Sequence, residues 1–210
     1  MSSIIKVDTI QNQSGANIIS ESANTITVGA SGDTVTIPSG GTLGGAGTFD
    51  LSSGSVTLNS TMKNTPAFSA RETSQQTISH NTVTNLTFGT EEIDTDSAFA
   101  SNVFTVPSGA AGKYYLFAQI NLYDADSNIS GCQLWIWKGT NATKLSNLYN
   151  TTGGGENRSH VNNNVAVIAD LSAGDVIGAA VNMTTTDSGT VTSYGGDNGT
   201  RILGYKLIGA

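Results

Sequence analysis

The sequence predicts an all-β protein, and three observations support this fold class. No segment places apolar residues at i, i+3, i+4 and i+7 over several turns, which is the pattern of an amphipathic helix. Only 12% of the 210 residues are charged, while the abundant Thr suits strands and the abundant Gly and Asn suit turns. Runs of β-prone residues alternate with turn clusters such as DADSN and SAGD, a spacing typical of a β-sandwich or barrel.

The first twenty residues contain six Ile or Val side chains among polar residues, and these are Ile4, Ile5, Val7, Ile10, Ile18 and Ile19. A segment with so little apolar mass cannot bury a core of its own. A tail that stays in solvent rarely contains this many aliphatic residues. We therefore expect residues 1–20 to be an anchor peptide that becomes ordered on a partner.

A short repeat follows between residues 25 and 59. Its unit is Thr or Ser, an apolar residue, any residue and a second apolar residue, and it reads TITV at 25–28, TVTI at 34–37, TFDL at 48–51 and SVTL at 55–58. Alternation places both apolar side chains of a unit on one face. Units this short need neighbouring chains to bury that face, so we expect residues 21–65 to form a short trimeric β-shaft and a connector. The alternative is a Gly/Ser/Thr linker whose spacing is accidental.

From residue 66 onward the strands become longer and richer in aromatic residues. The longest run is GKYYLFAQINL at 112–122, whose even positions are predicted to face a core and are Tyr114, Leu116, Ala118, Ile120 and Leu122. The odd positions begin aromatic, with Tyr115 and Phe117, and end polar, with Gln119 and Asn121. An aromatic half-face needs an apolar cover, and we expect that cover to be another copy of the chain.

Further strands are predicted at 66–71, 76–89, 102–107, 131–138, 144–150, 163–171, 175–183 and 200–209. The run GKYYLFAQINL resembles the signature strand of the tumour necrosis factor and complement one-q jelly rolls, with its Gly, aromatic pair, aliphatic, aromatic, small residue and Gln. PAFSA at 66–70, LSAGDVI at 171–177 and ILGYKLIG at 202–209 resemble, in order, the opening, a late turn and the final strand of complement one-q heads.

This resemblance covers residues 66–210 and implies a jelly-roll β-sandwich that forms tight trimers. It implies that Tyr115 and Phe117 lie at the trimer interface near the threefold axis. Tyr205 stands where an aromatic residue recurs in the final strand and is assigned to the same interface. The loops 139–163 and 184–199 are unusually rich in Gly, Asn and Thr, so no ligand site of the family is expected to carry over there.

The N-terminal part has a second resemblance. The opening IKVDTIQNQSGANIIS at 5–20, followed by TITVGASGDTVTI at 25–37, is similar to the starts of virion structural and fibre proteins of marine bacteriophages. There the opening precedes varied C-terminal domains, as expected of a peptide that fits a common socket. The resemblance implies that residues 1–20 attach to another virion protein, of the capsid or the tail. It also implies a virion location after synthesis in the host cytoplasm.

The charge balance and the single cysteine limit the possible partners. A net charge of −7 argues against binding nucleic acid through its phosphates. The sequence has no apolar span of about 18 residues and no basic segment followed by an apolar one at its start, so neither membrane insertion nor a signal peptide is expected. Cys132 lies in an apolar run, which predicts a buried and inert thiol.

Catalytic chemistry and cofactors are not expected. The sequence has no G-x-S-x-G, Walker A, G-x-G-x-x-G or H-E-x-x-H motif, and neither His80 nor His160 has a partner at catalytic spacing. The enzymatic alternative is a glycan depolymerase, which needs a carboxylate pair in a cleft and could form one across subunits.

A metal site is not expected either, although two acidic clusters are weak candidates. Asp124, Asp126 and Asn128 mimic the first ligands of a calcium loop, but Ile129 stands where that loop requires Gly. Glu91 and Glu92 belong to a predicted acidic loop that could hold a divalent ion near a trimer axis. A solvated face is the simpler interpretation of such a loop.

Two tryptophans are candidate ligand-binding residues. Trp135 and Trp137 share one face of the predicted strand 131–138, opposite Cys132, Leu134 and Ile136. Aromatic rings on one face can stack on a sugar, or they can fill a contact between sheets or subunits.

Taken together, these patterns predict a non-enzymatic, homotrimeric virion fibre protein. Residues 1–20 are the anchor, 21–65 the shaft, and 66–210 a knob that meets a host-surface glycan or protein. Threefold avidity would strengthen weak single contacts. The alternative is a purely structural capsid decoration or tail-assembly protein that binds no receptor.

Overall fold

A computed structural model of the chain describes residues 9–11, 14, 17–22, 25–28, 34, 36, 64–141, 143–151, 157–195 and 199–208. The chain divides into two compact units, Met1–Ser55 and Val56–Ala210. The first described strand of the second unit begins at Ala67, next to residue 66, where the sequence predicts the knob to begin.

The first unit contains an antiparallel sheet of β1 (Thr9–Gln11), β2 (Asn17–Ser22) and β3 (Thr25–Val28), in that order. β2 runs across residue 20, where the sequence predicts the anchor to end. Of the predicted anchor residues, Ile10 lies in β1 and both Ile18 and Ile19 lie in β2. Ile4, Ile5 and Val7 lie outside the described residues, as do the repeat units TFDL and SVTL. The first repeat unit, TITV, is β3.

The second unit is built from antiparallel strands, which are β4 (Ala67–Arg71), β5 (Thr77–Ser79), β6 (Thr84–Asn85), β7 (Thr90–Asp94), β8 (Phe99–Ala100), β9 (Val103–Thr105), β10 (Gly112–Tyr123), β11 (Ile129–Lys138), β12 (Thr143–Thr151), β13 (His160–Leu171), β14 (Val176–Thr185), β15 (Thr190–Ser193) and β16 (Arg201–Lys206). Within the described ranges the chain forms no helix, so none of them contains a helix that could cross a membrane.

These strands form two sheets that face each other. The first sheet has the order β5-β15-β10-β16-β4-β7, with β13 on the other side of β10. The second has the order β12-β11-β14-β9-β8, with β6 also beside β14. The apolar core lies between the two sheets, so the all-β sandwich that the sequence predicts is confirmed.

The central strand β10 has the alternation that its sequence predicts. Tyr114, Leu116, Ala118, Ile120 and Leu122 are all fully buried. The second sheet contributes inward-facing residues to the same core, among them Cys132, Leu134, Ile136, Ile177 and Val181. Burying one such aliphatic side chain stabilises the fold by about 1.5–3 kcal/mol.

The single cysteine lies inside this core, as predicted. Cys132 is fully buried, and its carbonyl oxygen accepts a hydrogen bond from Asn163 Nδ2 at 2.9 Å. Burial raises the pKa of the Cys132 thiol to about 12, because the thiolate would lose its hydration. The thiol is therefore neutral at physiological pH.

One predicted strand is divided between the two sheets. In the run 76–89, β5 pairs with β15 in the first sheet and β6 pairs with β14 in the second. The chain crosses between the sheets at Asn81, whose φ of 50° lies in the left-handed region that Asn tolerates. The backbone N–H of Asn81 donates to Met183 O at 2.8 Å, which fixes the crossing.

Candidate functional site

The outer face of the first sheet carries a group of apolar side chains in register. Tyr115 on β10 lies beside Tyr205 on β16 and Ile168 on β13, and the Tyr115 and Tyr205 ring centroids are 5.5 Å apart. Two residues further along β10, Phe117 lies beside Leu203 on β16. We call these five residues the aromatic patch. The structure thus brings together Tyr115, Phe117 and Tyr205, the three residues predicted at the trimer interface.

The aromatic patch is open to solvent in a single chain. Its members are half-buried except for Ile168, which is 60% exposed. An apolar surface of this kind, framed by polar residues, is typical of a protein–protein contact.

Polar pairs frame the aromatic patch at both ends of β10. At one end the Lys113 ammonium and the Asp170 carboxylate form an ion pair at 3.0 Å. At the other end Gln119 Nε2 donates to Gly199 O at 3.2 Å, and Asn121 lies beside Asn162. The change from aromatic to polar along the odd positions of β10 is therefore a boundary of the patch.

A second exposed apolar side chain lies at the open edge of the sandwich. Leu148 on β12 is registered with the buried Leu134 and faces the interior. It is nevertheless 42% exposed, because β12 is the outermost strand of the second sheet. The sequence places Leu148 in a predicted strand but contains no signal that this strand lies at an edge.

The two tryptophans predicted to bind a ligand are buried in the second sheet. Trp135 is 2% exposed and Trp137 is 5% exposed, and both pack with Ala180. Trp135 Nε1 donates to Asn141 Oδ1 at 2.8 Å, and Lys144 Nζ lies 4.0 Å from the centre of the Trp135 ring. The expectation that these rings stack on a sugar is corrected by this burial, which instead fits a packing role.

Two of the four acidic metal candidates, Asp124 and Glu92, are engaged in contacts within the protein. Asp124 accepts hydrogen bonds from the backbone N–H groups of Asp126, at 3.1 Å, and Asn128, at 2.8 Å, which makes a polar turn. Glu91 and Glu92 lie in strand β7 rather than in a loop, and Glu92 forms an ion pair with Arg71 at 3.2 Å. Among the residues that the structure describes, no three acidic, His or Cys side chains are grouped to hold a metal ion.

Among the residues that the structure describes, Glu72 has a buried carboxyl group that no sequence pattern predicted. Glu72 is only 1% exposed, and it accepts a short hydrogen bond from the Ser193 hydroxyl. Its second carboxylate oxygen is buried without a hydrogen-bond partner. Burial raises the pKa of Glu72, against the opposing hydrogen bonds from Ser193, Thr200 and the Gln76 backbone.

Two small cavities lie at the surface of the second unit. One of about 150 Å³ is lined by residues 72–74, 87–89 and Asn102, and one of about 160 Å³ lies between Pro66, Pro107 and Lys206. Both are smaller than the roughly 300–1,000 Å³ of usual small-molecule pockets. Neither cavity therefore holds a ligand larger than a few waters.

Comparison with known proteins gives the fold. No family model matches the sequence, and no curated protein matches it significantly. Among solved structures, Eiger TNF from S. frugiperda is 16% identical, with 69% of this chain and 93% of that chain covered and a TM-score of 0.51. Murine APRIL, in its crystal structure at pH 5.0, is 12% identical, with 67% and 98% covered and a TM-score of 0.50.

The globular domain of zebrafish complement 1qA is 13% identical, with 68% of this chain and 97% of that chain covered and a TM-score of 0.47. The likeness to Eiger TNF and murine APRIL shows the fold alone. The described β-sandwich of the second unit has the jelly-roll fold of these two structures, which confirms the predicted fold class.

Proposed function

We propose that this chain is the subunit of a homotrimeric bacteriophage fibre that attaches the particle to the surface of its host. The observation that carries the trimer is the aromatic patch, since Tyr115, Phe117 and Tyr205 form apolar surface that a single chain leaves in water. Burying this surface against a second copy removes it from water, at about 25 cal/mol per Å².

A closed threefold ring uses two different surfaces on each chain, because every contact is head-to-tail. Besides the aromatic patch, the second unit exposes the apolar side chain of Leu148 at its open edge. In the proposed trimer, Leu148 of one chain packs on the aromatic patch of the next. The polar pairs at both ends of the patch fix how far the two chains overlap.

The attachment role is supported by how the chain is organised. The opening at residues 5–20 is similar to the starts of phage virion proteins, and it precedes a separate compact unit. Three knobs on one fibre bind a repetitive cell surface with avidity, which can exceed the affinity of one site by about 10²–10⁴. A surface with few charges and many hydroxyl and amide groups suits polar ligands such as glycans.

Light scattering tests the trimer. The full chain, of 21.6 kDa, is expected at three times this mass. The unit 56–210 is expected at three times the mass of its own, shorter chain. A monomeric second unit would contradict the role of the aromatic patch and would leave only the N-terminal unit to join the chains.

Two variants of the unit 56–210 test the head-to-tail contact. Tyr115→Glu and Leu148→Glu are each expected to be monomeric, because each loses one of the two surfaces. Mixed together, they should form a one-to-one dimer through the intact surface that each retains. The control is Val83→Glu, which changes a 54% exposed residue next to β6 and should leave the trimer intact.

Adsorption to cells tests the attachment role. A fluorescently labelled full chain is expected to bind some strains in a panel of marine bacteria and to compete with phage adsorption on them. Failure to bind any strain that adsorbs a phage carrying this chain would favour a structural protein of the capsid or tail.

A further inference from the structure

A line of uncharged side chains crosses the outer face of the second sheet. The register places Tyr149 on β12 beside Gln133 on β11, and Gln133 beside Asn182 on β14. Val83 precedes β6, which pairs with β14, and it continues the line on the far side of Asn182. We call these four residues the amide strip.

The amide strip faces outward, because Val181 and Met183 on either side of Asn182 are fully buried in the core. Its two ends are exposed: Tyr149 is 58% exposed and Val83 is 54% exposed. Gln133 and Asn182 lie between them and are half-buried. The strip therefore has an exposed aromatic ring at one end, an exposed aliphatic side chain at the other and two half-buried amides between them.

We propose that the amide strip binds a neutral saccharide. The Tyr149 ring lies against the C–H face of one sugar, and the Gln133 and Asn182 amides exchange hydrogen bonds with its hydroxyl groups. This proposal rests on the proposed attachment function, since the saccharide would be part of the host surface. It names the ligand class and the residues that attachment would use.

The chemistry of the strip fits a sugar better than a charged ligand. A primary amide presents a donor and an acceptor side by side, as neighbouring hydroxyl groups of a sugar do. An amphipathic tyrosine ring packs on the apolar face of a sugar and keeps its hydroxyl in water. The strip contains no charged side chain, and the net charge of −7 disfavours approach of an anionic polysaccharide.

Asn182 has unused hydrogen-bonding capacity. Its Oδ1 atom is buried and has no hydrogen-bond partner, although the side chain as a whole is half-buried. A buried acceptor without a partner is unfavourable. A sugar hydroxyl that draws this amide outward and donates to it therefore gains free energy that a fully solvated amide would not provide.

Gln133 is also weakly engaged, since its Nε2 donates a long hydrogen bond to Asn147 Oδ1 at 3.4 Å. Asn147 lies opposite Trp135 in the sheet. The Trp135 side chain is buried and donates a hydrogen bond to Asn141, which holds it in place. A well-packed sheet beside the Gln133 and Asn182 amides reduces the entropy that these side chains lose when a ligand binds.

The strip stays accessible in the proposed trimer. Leu148 and Tyr149 are adjacent on β12 and face opposite sides of the sheet, with Leu148 toward the interior and Tyr149 outward. A neighbouring chain that covers Leu148 therefore leaves the Tyr149 ring on the outer face.

The test uses the full-length trimer and immobilised polysaccharides, with mannan, dextran and galactan as neutral probes and alginate as the anionic probe. Wild type is expected to bind at least one neutral probe and not alginate. Tyr149→Ala is expected to weaken that binding about tenfold, which corresponds to about 1.4 kcal/mol. Asn182→Ala and Gln133→Ala should each weaken it, and Tyr149→Phe should retain it.

The control variant is Tyr194→Ala, which removes a 48% exposed tyrosine outside the strip and should leave binding unchanged. Light scattering on each variant checks that the trimer is intact. Unchanged saccharide binding by Tyr149→Ala would overturn the proposal, and so would a loss of the trimer in that variant, because Tyr149 would then be a subunit contact.

Cell adsorption measured alongside separates this proposal from the proposed function. If wild type adsorbs to cells but binds none of the neutral probes, the saccharide site is overturned and attachment stands. If wild type binds neither cells nor probes, both are overturned. Loss of both cell and probe binding in Tyr149→Ala alone, with Tyr194→Ala unaffected, supports both.

Discussion

The indole ring of Trp137 lies directly against the Cα of Gly178 and fills the space of a side chain there. The two residues are opposite each other on β14 and β11, and a Cβ built on Gly178 would come within 2.3 Å of Trp137 Cζ2. The ring occupies the space that any side chain at position 178 would need. The glycine is thus required by the close approach of a side chain and not by its own backbone conformation.

Replacing this glycine should therefore loosen the second sheet. Gly178→Ala is expected to lower the free energy of unfolding by about 1–3 kcal/mol, because the buried indole must leave its position. Urea unfolding followed by circular dichroism measures the loss. The matched control is Gly131→Ala on β11, whose Cβ would meet the rotatable Thr184 hydroxyl at 2.6 Å and should cost less. An equal loss in both variants would contradict this account of Gly178.

Asp175 in the turn LSAGDVI should stabilise the fold in a pH-dependent way. Its carboxylate accepts a hydrogen bond from the Ser172 N–H at 2.8 Å and pairs with Lys138 at 3.0 Å, and these contacts lower its pKa below 3.8. A lowered carboxyl pKa stabilises the folded state above 3.8, and this contribution disappears as the pH falls through the folded value.

Asp175→Asn is accordingly expected to cost about 1 kcal/mol at neutral pH, and the difference from wild type should vanish in acid. Unfolding in urea at a series of pH values gives the comparison. A difference that persists unchanged at about pH 2 would show that the charge of Asp175 does not matter.

Glu72 should act in the opposite direction. Because burial raises its pKa above 4.5, the folded state holds the proton more tightly than the unfolded chain does. This stabilising contribution is complete below 4.5 and is lost as the pH rises through the folded value.

Glu72→Gln removes this titration. The difference in unfolding free energy between variant and wild type should therefore shift in favour of the variant as the pH rises above 4.5. Asp124→Asn, in a half-buried polar turn away from Glu72, serves as a comparison. A difference that stays flat across this range for Glu72→Gln would contradict the raised pKa.

The Cys132 thiol should be unreactive in the native protein. With its pKa raised to about 12 and its side chain fully buried, no thiolate is available at about pH 8. Ellman's reagent is expected to detect no thiol in native protein and one per chain in guanidinium. Rapid labelling without denaturant would show that the core around Cys132 opens readily.

The parts of the fold that the sequence predicted are those that depend on local alternation. The even residues of β10 are buried because a strand with apolar residues at every second position has only one way to face a core. Gly204 lies in the predicted final strand, and a Cβ there would lie 2.7 Å from Leu116 Cδ2 in this core.

The parts that it did not predict depend on which surface covers each strand. Trp135 and Trp137 alternate with core residues, and alternation alone cannot show whether the outer face is open. The small residues Gly178 and Ala180 on the neighbouring strand were the available signal, since they leave room for two indoles to lie flat. The sequence also did not predict the crossing between the sheets at Asn81 or the acidic strand β7. Polar and charged residues resemble a loop when the strands that pair with them are distant in sequence.

The placement of both tryptophans has a spectroscopic consequence. Trp135 and Trp137 are the only tryptophans in the chain, and both are packed in one cluster on the second sheet. Intrinsic fluorescence excited at the red edge of the protein band therefore reports on the second unit alone. Unfolding of this sheet can therefore be followed in the full-length protein without a label.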